Sequence, residues 1–229
     1  MNTNALNVGC GLIATAPVFA GHIVLLKHVR YMLLSWFCSF ISTVILVICS
    51  LSSLFTINPW YVLLFSVPLD ALGKVVLKFF ACKFRFLSKP VDRCSLGLSC
   101  GLGFALAHVL TMYLPIVFDQ PYSVFFDDKH PDYFPNCLDL ALVYQALSVF
   151  HMGVSLIIYR FDKMNIFLMF LIAATLQYAA SSITQIPIIW VKQIIINLVS
   201  YALLIFGLIS FRSMEYSQIN DDLLKAHDE

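Results

Sequence analysis

The chain has 229 residues, 60% of them hydrophobic and only 12% charged, where a soluble domain carries about a quarter charged residues, so the composition is that of a membrane protein. A net charge of +1 leaves neither a basic surface nor an acidic binding arm, which excludes nucleic-acid partners. Seven cysteines scattered through apolar runs exclude a secreted disulfide scaffold, although Cys10 and Cys137 approach the same face. HExxH and clustered Cys/His spacings are missing, so neither a metal nor a cofactor is expected.

The opening MNTN has no Lys or Arg, and the apolar run continues to Leu26, so the first segment reads as a retained span rather than a cleaved signal. A bilayer core about 30 Å thick takes roughly 20 helical residues. Segments of that order predict spans over 5–26, 31–55, 60–82, 95–118, 137–159, 164–185 and 188–211, which together make an all-α bundle as one domain, 1–211, with a tail over 212–229. Ten of the 14 Lys and Arg (27, 30, 83, 85, 89, 93, 160, 163, 212 and 225) fall in the first, third and fifth connections or the tail. By the positive-inside rule the N-terminus is then lumenal or extracellular and the C-terminus cytosolic. The longest connection, DQPYSVFFDDKHPDYFPN, is too short for a core of its own.

In the third span Asp70 is the only carboxylate near mid-depth, and such a group costs on the order of 3 kcal/mol to insert. Lys74 follows at i+4, which predicts a local ion pair, with Lys78 snorkelling to the cytosolic edge. The fourth span places Gly97, Gly101 and Ala105 four apart, a small stripe that lets helices approach, and His108 projects from the same side. That face meets either another helix of this chain or a separate subunit. The fifth span aligns Tyr144, Ser148, His151 and Ser155. The sixth aligns Thr175, Tyr178, Ser182 and Gln185, with Gln177, Ser181 and Thr184 beside them. Such stripes face protein or a water-filled cavity, as hydrogen-bonding glue, a ligand or proton path, or a docking cavity for a partner's segment.

Catalytic patterns fail on context. Gly97-Leu98-Ser99-Cys100-Gly101 matches a nucleophile elbow literally but sits in a membrane helix, not a strand-turn-helix. An intramembrane aspartyl protease needs two carboxylates sharing a proton, and Asp139 lies at the external end of the fifth span, far from Asp70. A seven-span receptor of the G-protein-coupled kind would end its third span with an acidic-Arg-aromatic motif, whereas this one ends KFFACKFR. The chain is therefore expected to be non-catalytic, with a receptor or small-solute carrier as the alternative.

Gly9-Cys10-Gly11 through Pro17-Val18-Phe19-Ala20, Arg30 after the first span, and Cys100-Gly101-Leu102-Gly103-Phe104 followed by Ala105 resemble the anterior pharynx defective one family, the seven-span scaffold subunit of γ-secretase. His151 in Val149-Phe150-His151 matches the first of that family's two intramembrane histidines, and Gln177 falls where the second would be. The resemblance implies a non-enzymatic subunit that holds presenilin, nicastrin and the presenilin enhancer subunit among membrane lipids. It would act as an endopeptidase activator in the proteolysis of single-span proteins such as Notch, in endoplasmic reticulum, Golgi and plasma membrane. The fourth-span small face and a cavity lined by His151 and Gln177 would grip the partner helices. Gln177 cannot titrate like histidine, but it donates and accepts hydrogen bonds, so a structural role is retained at that position.

Overall fold

A computed structural model describes residues 3–25, 28–53, 59–83, 90–114, 136–161 and 164–227, and among them there is no strand. Seven helices follow in chain order: α1 (Thr3–Leu25), α2 (Val29–Ser53), α3 (Pro59–Lys83), α4 (Pro90–His108), α5 (Asn136–Arg160), α6 (Ile166–Thr184) and α7 (Ile189–His227). The last four residues of the predicted fourth span and the acidic loop up to Pro135 lie outside the described residues. Six of the helices are long and apolar enough to cross a membrane. The seventh, α3, has 25 residues but carries Asp70, Lys74 and Lys78. The outer surface explains the composition: Phe40, Phe167 and Leu198 are 67%, 69% and 70% exposed, a surface that water does not tolerate and hydrocarbon does.

α4 and α5 form the centre. α4 packs on α5 along one side and on α2 along the other, and α5 packs in turn on α7. These close approaches follow from glycine. A Cβ at Gly101 would meet Met152 Cα at 2.5 Å and the His151 carbonyl oxygen at 2.8 Å, and one at Gly97 would meet Tyr159 Cβ at 3.1 Å. The small face of α4 therefore meets α5 of the same chain and is not free for a separate subunit. Ala105 is fully buried in a second cluster, with Ala14 and Val18 of α1 and Ala141 of α5. Gly103, on the opposite face, allows α4 to approach α2, where a Cβ would lie 2.6 Å from Cys38 Cβ. In the second cluster the Cys10 and Cys137 sulfurs are 3.4 Å apart as free thiols.

Two irregularities shape the interior. Past His108, α4 widens into one π turn, Val109–Tyr113, the kind of bulge that re-aims side chains within a helix. In α3, Pro68 has no N–H for the Leu64 carbonyl one turn earlier. The Tyr178 hydroxyl of α6 donates to that carbonyl at 2.9 Å, which restores the hydrogen bond that a membrane interior demands. α7 runs for 39 residues, so the predicted tail continues the last helix rather than leaving it.

Candidate functional site: a polar cluster inside the bundle

Asp70 organises the site. Lys74, one turn along α3 and completely buried, donates to Asp70 Oδ2, and so does the Gln177 side-chain amide from α6. Lys74 Nζ also lies 4.0 Å from the centroid of the Phe104 ring, a cation-π seat for an ammonium withdrawn from water. His151 of α5 brings Nδ1 to 4.0 Å from the same carboxylate oxygen. The His108 ring stacks on His151 with centroids 4.3 Å apart and planes tilted by 36°. His108 Nδ1 lies 2.9 Å from the Phe104 carbonyl oxygen; a carbonyl only accepts, so Nδ1 carries the proton and Nε2 presents its lone pair.

Asp70, His108, His151 and Gln177 border a cavity of about 400 Å³ whose walls come from five helices, among them Ser50 of α2, Ser66 of α3, Tyr144 of α5 and Ser181 of α6. Three atoms here are buried without a hydrogen-bond partner: Asp70 Oδ1, His151 Nδ1 and Gln177 Oε1. A buried polar atom left unpaired costs about 1–3 kcal/mol, and the residues carrying these three line a cavity that has room for a polar ligand. A larger groove of about 570 Å³, lined by Leu33, Phe37, Ile41, Val76 and Phe80 with Arg30 beside them, is mostly apolar.

Of the residues singled out in the sequence, Asp70, His108, His151 and Gln177 come together, while Gly97, Gly101 and Ala105 build the helix contacts beneath them. One expectation changes. The predicted stripe of α6, Thr175-Tyr178-Ser182-Gln185, does not face inward as a line, since Thr175, Ser182 and Gln185 are exposed. The neighbouring line of Gln177 and Ser181 reaches the cavity instead, because Ala173, Ala174 and Ala180 turn the small side of α6 toward the bundle. Lys78 extends to the edge expected of it, the end of the bundle at which α5 closes. It is buried and donates to the Phe161 carbonyl oxygen at 2.5 Å, just past the end of α5, where helix carbonyls lack intrahelical partners. Spacing along the sequence offered no metal motif, yet the fold gathers Asp70, His108 and His151 with one ligand atom from each within 4.8 Å of the others. Their helices meet only in space, and no local pattern records that. Asp139 lies in the first turn of α5, at the end of the span where the sequence puts it. It is paired with Lys192 of α7 and accepts from Gln193 at 2.6 Å, a clamp between α5 and α7. The signal that could have found it is Lys192, the one charged residue of the apolar stretch 188–211, which has to meet a counter-charge.

Ser99, the residue of the elbow-like pattern, is fully buried and donates to the Ser95 carbonyl oxygen at 2.6 Å. No protein-family model matches the chain, and no curated protein matches it.

Proposed function

We propose that the chain is a non-catalytic scaffold of a multi-pass membrane complex, in the manner of the anterior pharynx defective one subunit of γ-secretase. On this reading it crosses the membrane seven times, α3 included, with its N-terminus lumenal and its C-terminus cytosolic. The observation that carries the reading is the convergence of His151 and Gln177 on one carboxylate. These are the two positions that the resemblance equates with an intramembrane histidine pair, and here they join α3, α5 and α6 at the floor of a cavity. Asp70 is bound by Lys74 and Gln177 and has no second carboxylate near it among the described residues, an arrangement that suits a clamp better than proton chemistry.

The cavity, with its serine and tyrosine rim, would receive a partner's transmembrane segment, and membrane lipids would occupy the apolar groove. Presenilin, nicastrin and the presenilin enhancer subunit are the partners this reading names, and activation of a membrane endopeptidase on clients such as Notch is the activity it assigns to the assembly. The test is co-purification in mild detergent. Wild-type chain is expected to bring presenilin-like and nicastrin-like polypeptides, and Ser181→Trp, which fills the cavity beside its rim, is expected to lose them while eluting as a folded monomer. A wild-type chain that purifies without either companion refutes the scaffold reading and favours a receptor or small-solute carrier.

A further inference from the structure

We propose that Asp70, His108 and His151 form a binding site for a divalent transition metal of the zinc type at the floor of the cavity. This goes beyond the scaffold reading and does not depend on it. Each of the three residues offers one ligand atom, all within 4.8 Å of one another, so modest rotations close them onto metal-ligand distances of about 2 Å.

The unpaired atoms bear on the chemistry of a ligand. Asp70 Oδ1 is an acceptor without a donor, and His151 Nδ1 is buried with no partner. His108 keeps its Nε2 lone pair because Nδ1 is committed to the Phe104 carbonyl at 2.9 Å. That bond is also the usual outer support of a metal-bound imidazole, since it fixes both tautomer and ring orientation. Ligand atoms gathered this closely suit a cation, and two imidazoles with one carboxylate are borderline ligands suited to zinc, cobalt or nickel rather than calcium or magnesium. Such a three-ligand set leaves a coordination position open toward the cavity.

Lys74 sets the limit on this site. Its ammonium occupies Asp70 Oδ2, so metal and ammonium compete for one carboxylate, and the Phe104 ring, already 4.0 Å from Nζ, is the seat left to the lysine when the metal binds. Metal binding should therefore tighten when the lysine charge is removed, which distinguishes a metal site from a water-filled polar pocket.

The test uses the full chain in detergent, purified without a histidine tag, stripped with chelator and dialysed against Co2+. The expected result is one Co2+ per chain, visible absorption bands of low-coordinate cobalt, and displacement by Zn2+. His108→Phe and His151→Phe should each weaken retention at least about tenfold, and Lys74→Met should strengthen it. Should the histidine variants fail to fold, X-ray absorption on the Co2+-loaded wild-type chain decides: two imidazole nitrogens in the shell are expected, and a shell of oxygens alone overturns the site. Absence of stoichiometric Co2+ on the folded wild-type chain, or equal retention in His151→Phe, overturns it as well.

Discussion

Asp70 and Lys74 lie one helical turn apart on α3, and each is buried, at 4% and 0% exposed. Removing the charge of one partner leaves the other uncompensated, which costs about 3–5 kcal/mol where a matched apolar replacement of both is nearly neutral. Asp70→Asn is accordingly expected to lower the thermal unfolding midpoint in detergent sharply, and Asp70→Asn with Lys74→Met to recover most of the loss. The Tyr178 hydroxyl and Pro68 form a second coupled pair, because the hydroxyl serves the Leu64 carbonyl that proline cannot. Tyr178→Phe should cost about 1 kcal/mol in the natural chain. In a Pro68→Ala background the restored amide serves Leu64, and the same change should be close to neutral; equal losses in both backgrounds would disprove the compensation. The ion pair could be read from the i, i+4 spacing of Asp70 and Lys74. The Tyr178 bond could not, because Leu64 and Tyr178 belong to different helices.

Helices in this chain are held by contact between backbones, and glycine is where that contact is made. Overfilling a packed interface costs about 1–3 kcal/mol, with the upper end expected at Gly101, where the atoms met are the Met152 backbone and the His151 carbonyl. Gly101→Leu should separate α4 from α5 and yield aggregated material in size-exclusion chromatography. Gly9→Leu is the control, since nothing lies within 4 Å of a Cβ there; it should behave as wild type. Identical behaviour of the two variants would show that close packing at α4 is dispensable. The periodicity Gly97-Gly101-Ala105 made a packing face legible in sequence. Which helix it meets was not legible, because either α5 or a foreign helix satisfies a small-residue stripe equally well. Gly103 lies off the stripe, on the side that faces α2, so its contact carries no periodic signal.

At the scale of the molecule the described exterior is apolar, and buried charges form pairs, Asp70 with Lys74 inside α3 and Asp139 with Lys192 between α5 and α7. The distribution of Lys and Arg between alternate connections predicts an odd number of crossings. A protease site or glycosylation acceptor added before Thr3 should be accessible only from outside the cell or from the lumen, and one added after Glu229 only from the cytosol. Finding both termini on one side would remove α3 from the set of spans and refute the seven-span topology.

Length, hydropathy and breaks determined by themselves that this is an all-helical membrane chain and where its helices lie, because the cost of exposing backbone polar groups to lipid dictates helix, and bilayer thickness dictates helix length. The small residues of α4 and the polar residues of α3, α5 and α6 marked the interior in the same local terms. A cavity at His151 and Gln177 was implied by resemblance, and only the tertiary structure decided which atoms of Asp70, His108, His151 and Gln177 meet there. Convergence of residues from four helices depends on how those helices rotate and cross, and that is set by side-chain packing summed over the whole bundle rather than by any spacing along the chain.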